Sequence, residues 1–389
     1  MAPRVLAAGW LLTLAGVLTP GCAERPAPET RSPTERPVAE PACDWGVAYF
    51  CPYDNDLERA GPIILQRIRA GLASPRQAVA LQADYTDAGG MRRFAITAQG
   101  ITETRVASDD SADEDQALAF LEWFVETYPC RRYAFVFLNH GGTLDQLSRD
   151  DHPPAPKAAP AWMSGRVLSE KLRRFKEQLR GRWELLFFQQ CGRGSLENLY
   201  SFRGTADFVL CSPLNVGAPN TYYTALHRWL DAHPEGAGGQ LAELIAAEDT
   251  DYRMYSCVRG AQLEELPKRL GQVLAPFTKP AALSAPVPPP AVYTEADEST
   301  RDALGYLERL ATLNNTGANE VAEFRKWVQE EFLSGVWYEK TAAEQTKRLC
   351  SGVSLFVPDD ADEARRYKDL DLYKKSALPE LWTKLHPTR

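Results

Sequence analysis

No block of this 389-residue chain is strongly basic, and the formal net charge is −8. A nucleic-acid partner ordinarily needs a basic patch, so the composition argues against one. No Cys-x-x-Cys or His-x-x-x-His pair occurs, which leaves a zinc site without its usual ligand spacing. Glycine and proline are clustered rather than periodic, which excludes a collagen-like chain. There is no internal repeat. What is present is ordinary for a globular protein with a sizeable core: hydrophobic residues make up 44% and charged residues 25%.

The start of the chain reads as a secretory signal. Arg4 precedes the apolar stretch from Val5 to Leu18, which is too short for a membrane span, and Thr19-Pro20-Gly21-Cys22 follows. A cysteine after a small residue at the cleavage point resembles a bacterial lipoprotein signal. On that reading residues 1–21 are removed and Cys22 is lipidated, so the partner is a membrane reached through a lipid anchor and the protein is exported. The other reading is an ordinary secreted protein in which Cys22 is incidental. Residues 22–42, rich in Pro, Glu, Arg and Thr, cannot bury enough apolar surface to order themselves and form a tether. If Cys22 and Cys191 are set aside, six of the eight cysteines remain. They allow several disulfide pairings, and Cys51 and Cys211, at the ends of strand-like runs, read equally well as buried thiols.

From residue 43 to 280 strands alternate with helices. Asp44–Cys51, Ala78–Gln82, Arg93–Thr97, Tyr133–His140, Glu184–Cys191 and Asp207–Cys211 read as strands. Helical spacing of apolar residues marks 56–72, 114–128, 168–179, 221–233 and 240–248. The fold class is therefore α/β with a mostly parallel sheet covered on both faces. Pro288-Pro289-Pro290 marks a boundary, and residues 281–389 read as a mainly helical region.

Two of the strands end in the same way. Tyr133-Ala-Phe-Val-Phe-Leu-Asn-His140 is followed by Gly141-Gly142, and Glu184-Leu-Leu-Phe-Phe-Gln-Gln-Cys191 by Gly192. In an open α/β sheet the reactive groups lie beyond the carboxyl ends of the strands. A thiol and an imidazole meeting there make a nucleophile and its acid/base. Gly141 and Gly142 let backbone N–H groups approach a substrate closely, and one of them together with the Cys191 N–H forms a candidate oxyanion hole. Each residue alone is more often a strand cap or a core filler than a catalyst; the pairing is what points to chemistry.

The segment Trp45-Gly-Val-Ala-Tyr-Phe-Cys-Pro-Tyr-Asp54-Asn55-Asp56-Leu57-Glu58, the His140-Gly141 strand end, and Cys191-Gly-Arg-Gly-Ser-Leu-Glu-Asn-Leu resemble, in order and spacing, the motifs of the clostripain-like cysteine peptidases. The resemblance covers roughly residues 44–250. It implies a caspase-like α/β/α sandwich shared with gingipains, legumains and separases. It also implies His140 as acid/base, Cys191 as nucleophile, and a peptide or protein as substrate.

One position departs from the pattern. Two residues before the nucleophile the family usually carries an aspartate that binds a basic side chain, and here stands Gln189. A neutral amide at such a site weakens a basic preference by roughly 2–5 kcal/mol. Gln189-Gln190-Cys191-Gly192 is also similar to the caspase pattern, in which the glutamine lines the specificity pocket, so Gln189 is the candidate substrate-binding residue. The family resemblance brings calcium into view as a cofactor, with Asp54, Asn55 and Asp56 as oxygen donors; a solvated turn and helix cap is the plainer reading of that triplet. The Leu144–Met163 loop occupies the place where some relatives cleave themselves, with Arg149, Lys157, Asp150 and Asp151 as candidate cut positions. The plainer reading is an uncut loop. A non-catalytic surface protein that binds peptides on the same scaffold is the alternative to an endopeptidase.

Overall fold

The computed structural model describes residues 41–86, 89–279, 283–284, 300–342, 347 and 349–387. The signal segment, Cys22, the 23–40 tether and the proline boundary lie outside them.

The sheet follows from the two apolar runs. β5 (Cys130–Leu138) and β8 (Arg182–Gln189) pair in parallel at its centre. Along β5, Phe135 and Phe137 enter one buried cluster, while Ala134, Val136 and Leu138 enter the other. Leu186 and Phe188 are divided from Leu185 and Phe187 in the same way on β8. A strand buried on both faces needs no polar alternation, which is why these segments read as continuous apolar runs. β1 (Cys43–Pro52) and β2 (Gln77–Asp84) extend the parallel set on one side and β9 (Phe208–Cys211) on the other.

Both edges are antiparallel. β3 (Arg92–Ile96) and β4 (Ile101–Arg105) follow β2. β10 (Met254–Arg259) and β12 (Leu333–Tyr338) follow β9. Among the described residues the sheet thus has nine strands, in the order β12-β10-β9-β8-β5-β1-β2-β3-β4.

Helices α1 (Ala60–Gly71), α5 (Tyr223–Ala232) and α6 (Gly238–Glu248) cover one face. α2 (Glu114–Thr127), α3 (Gly165–Gln178), α4 (Leu196–Ser201) and α7 (Leu266–Thr278) cover the other. This is the expected sandwich. α1 starts at Ala60 rather than at Asp56. Asn55 Oδ1 accepts the Leu57 N–H at 3.0 Å, and i→i+3 turns carry the chain to residue 60. A disulfide joins Cys43 to Cys130 where β1 and β5 begin side by side. Cys51, Cys211 and Cys257 are buried thiols, and burial holds each above the ordinary thiol range.

Residues Glu40–Arg389 form one compact unit. The C-terminal region does carry helices, α8 (Ala303–Asn314) and α9 (Ala318–Trp327) among them. It also supplies β12 to the main sheet, and β11 (Thr300–Asp302) pairs with β13 (Ser354–Phe356). Leu304, Leu307, Phe324, Trp327 and Trp382 belong to the same buried cluster as Phe137 and Phe188. No helix among the described residues is long and apolar enough to cross a membrane.

Candidate active site

The β5–β8 register sets the geometry. Leu138 stands opposite Gln189, and the chain runs two residues beyond each partner to His140 and Cys191. The two side chains therefore leave adjacent central strands at the same level. Behind them the loops are in contact: a Cβ placed on Gly141 would lie 2.0 Å from the Cys191 carbonyl oxygen, so only glycine permits this approach. Gly142 spends its N–H on the Gln146 carbonyl at 3.0 Å. Gly192 turns the chain with φ +68°, the left-handed region that glycine enters without strain.

Arg193, a residue that sequence reasoning passed over, fastens the two loops together. Its guanidinium is fully buried. Nε donates to the Cys191 carbonyl at 3.0 Å. Nη1 donates to the Thr143 and Gln146 carbonyls at 3.1 and 2.8 Å, and Nη2 to those of Gly142 and Thr143 at 2.5 and 3.1 Å. A buried cation is tolerated when its fork of donors is filled, and here carbonyl dipoles of both loops fill it. Behind it, Gln190 Nε2 donates to the His140 carbonyl at 3.3 Å and to Ser148 Oγ at 3.2 Å.

The Cys191 sulfur sits against Val216. The Val216 N–H points at Sγ from 3.4 Å, and the Val216 carbonyl lies 3.6 Å away. Val216 is turned this way because its neighbours are used elsewhere. The Gly217 N–H donates to the Asp251 carbonyl, and the Asn215 carbonyl accepts from the Arg253 N–H. The Val216 backbone is thus an edge that faces the thiol.

His140 meets a carboxylate. Its Nε2 lies 2.7 Å from Asp56 Oδ1, and that hydrogen bond holds the Asp56 carboxyl below its usual range. The neighbouring residues of the same turn have other partners. Asp54 bonds His152 Nδ1 at 2.6 Å. Asn55 Nδ2 donates to Asn139 Oδ1 at 3.1 Å and to the Arg149 carbonyl at 2.9 Å. The three side chains diverge, so the Asp54-Asn55-Asp56 triplet does not fit a calcium ligand set, in which oxygens must converge. Among the described residues no group of three or more His, Cys, Asp or Glu side chains is placed to hold a metal.

Gln189 is buried and its amide is saturated. Nε2 donates to Asn220 Oδ1 and, at 2.9 Å, to the Tyr223 hydroxyl. Oε1 accepts from the Tyr222 and Tyr223 hydroxyls at 2.6 and 3.0 Å. Asn220 in turn donates to Asp249 Oδ2 at 2.7 Å. Asp249 is the one carboxylate in this cluster, and both of its oxygens are occupied. Tyr255 shares Oδ2, and the N–H groups of Thr221, Thr250 and Asp251 converge on Oδ1.

The proline-rich 144–163 segment is a hairpin of β6 (Gln146–Asp150) and β7 (Ala161–Ser164). Its candidate cut positions are engaged. Asp150 is buried and accepts from Ser111 and from the His152 N–H. Arg149 clasps Asp151 at 2.6 and 3.1 Å, and Lys157 pairs with Asp110 at 2.5 Å.

Comparison with known proteins places this arrangement. No curated protein matches the sequence significantly. Among solved structures the chain is similar to an inactive zymogen of a C11 protease from Parabacteroides distasonis. The TM-score is 0.62 at 20% identity, over 87% of this chain and 99% of that one. It is similar as well to a secreted C11 cysteine protease from Bacteroides thetaiotaomicron bound to an irreversible peptide inhibitor, with TM-score 0.62 and 16% identity over 86% and 99% of the two chains. At these identities the likeness establishes the fold. The sequence profile described as the clostripain family matches residues 88–385, more than half the chain, and the protein therefore belongs to the clostripain family of cysteine peptidases.

Proposed function

We propose that this protein is an exported cysteine endopeptidase in which Cys191 and His140 cut peptide bonds. The observation that supports the reading is the β5–β8 register: Leu138 pairs with Gln189, and each chain runs two residues further, to the histidine and to the cysteine. The Val216 backbone, with its N–H and carbonyl both on Sγ, holds the sulfur in place. The thiolate attacks the peptide carbonyl carbon, and the N–H groups of Gly141 and Cys191 receive the oxyanion. Gly141 is the glycine for this task, since the Gly142 N–H is already spent. As the C–N bond breaks, the His140 imidazolium gives its proton to the leaving amine. Water, deprotonated by the same imidazole, then attacks the thioester and frees the acid and the thiolate.

Gln189 has a neutral, filled amide, and the Asp249 behind it is saturated. Neither residue 189 nor Asp249 offers a carboxylate open to a guanidinium or an ammonium, which supports a preference for an uncharged residue before the scissile bond. The Cys43–Cys130 disulfide supports an oxidising compartment, in keeping with the signal-like N-terminus and with the secreted relative. Lipidation of Cys22 would keep the enzyme at the membrane surface, and mass measurement of the membrane-extracted chain tests that step.

The decisive experiment compares the chain beginning near Pro41 with its Cys191→Ala variant on peptides varied at the residue before the cleaved bond. We expect kcat/KM to fall by about 10³-fold or more in the variant. Cleavage that survives the substitution would end the reading.

A further inference from the structure

The Asp54-Asn55-Asp56 turn was expected to cap a helix or hold calcium, and the cleavage steps above make no use of it. We propose that Asp56 is the positioning residue of His140. By accepting the Nε2–H it fixes the ring and leaves Nδ1 as the nitrogen that exchanges the proton with Cys191 and the leaving amine. This rests on the Cys191–His140 reading and extends it from a pair to a relay of three.

The first support is the 2.7 Å contact itself, which only an Nε2–H tautomer or an imidazolium can make with a carboxylate. In neutral imidazole that choice removes the proton from Nδ1, so the basic nitrogen is defined. The second support is the anchoring of the turn. Asp56 is 72% exposed and His140 28% exposed, and an exposed pair of mobile side chains would orient little. This pair is not mobile at its base. The adjacent Asn55 is buried and donates to Asn139 Oδ1. That same oxygen accepts the backbone N–H of His140. Asn139 Nδ2 completes the tie by donating to the Pro52 and Arg149 carbonyls. Two consecutive residues of one turn therefore hold His140 twice, Asn55 through the main chain and Asp56 through the ring. The further charged group acting on the Asp56 carboxylate is Arg149.

The test uses the full-length protein with Asp56→Ala, Asp56→Glu and Cys191→Ala variants. Asp56→Ala is expected to lower kcat at least fivefold with KM changed less than twofold. Asp56→Glu should recover part of the rate. Nitrogen-15 spectra of histidine-labelled protein should show the Nε2–H form of His140 in the wild type and a tautomer mixture in Asp56→Ala. A smaller loss of kcat overturns the proposal, and so does a loss with an unmoved tautomer. Cleavage retained by Cys191→Ala would instead overturn the active-site reading beneath it. A dead Cys191→Ala beside a wild-type Asp56→Ala removes only the role of Asp56.

Discussion

The two sides of the site are built from different chemistry. Around His140 the structure relies on ionisable groups: Asp56 on the ring, Asp54 with His152, and the buried Asp84 and Asp150 that share Ser111. Around Cys191 it relies on groups that do not titrate near neutrality: the Gln189 and Asn220 amides, tyrosine hydroxyls, and the Arg193 guanidinium on backbone carbonyls. Cys191 thus rests in a frame of groups that do not titrate near neutrality, while His140 stands among groups that do. Stability and activity should be separable along this line.

The strongest way to break the comparison is to remove the bolt between the two sides. Arg193→Ala leaves buried carbonyls of both loops unpaired and should cost about 3–5 kcal/mol of unfolding free energy, with loss of activity. Arg193→Lys keeps the charge but not the fork, and should recover only part of that in a denaturant titration. An alanine variant as stable as the wild type would show that the loops hold each other without it.

A smaller effect is expected at the pocket floor. Gln189→Asp shortens a filled amide and places a second carboxylate near Asp249, for a cost of about 1–3 kcal/mol. It should also raise cleavage after Arg or Lys, relative to uncharged residues, by roughly tenfold. An unchanged preference would place residue 189 outside the specificity pocket.

The smallest effect lies on the His140 side. Burial, and then the nearby Asp54 and Asp150 charges, push Asp84 up to about 8. Its folded-state affinity for the proton exceeds that of the unfolded chain, so its contribution to stability is present in acid and is lost as pH rises toward 8. His152 is raised by its bond to Asp54, and its contribution fades in the same direction. Melting temperature should therefore decline as pH rises from about 4 to about 8. Asp84→Asn should flatten the decline, by an amount equivalent to about 1–2 kcal/mol at pH 9. Equal slopes in wild type and variant would show that this carboxyl does not govern the response.

The parallel centre of the sheet was legible because strands buried on both faces leave unbroken apolar runs, as Phe135–Leu138 and Leu185–Phe188 do. The antiparallel sides were legible only in part: Arg93–Thr97 read as a strand and is β3. β4 is Ile-Thr-Glu-Thr-Arg, polar because it faces water, and β12 carries Ser334 and Gly335 in a region read as mainly helical. The pair of strand-end residues could be read from the chain. What holds them could not: Asp56 and His140 are 84 residues apart, Gln189 and Asn220 31 apart, and neither separation leaves a local pattern. Arg193, two places after the nucleophile, looked like any surface arginine until the fold closed around it.

The strand Ser354–Phe356 has one further consequence. The Ser354 N–H caps the Gly194 carbonyl, and the Phe356 N–H meets Glu197 Oε1 at 3.1 Å, so the loop just past the thiol is finished by residues about 160 positions later. A ribosome emits the thiol and the histidine long before it emits that strand. A nascent chain therefore carries Cys191 and His140 without this brace until residues 354–356 have been made.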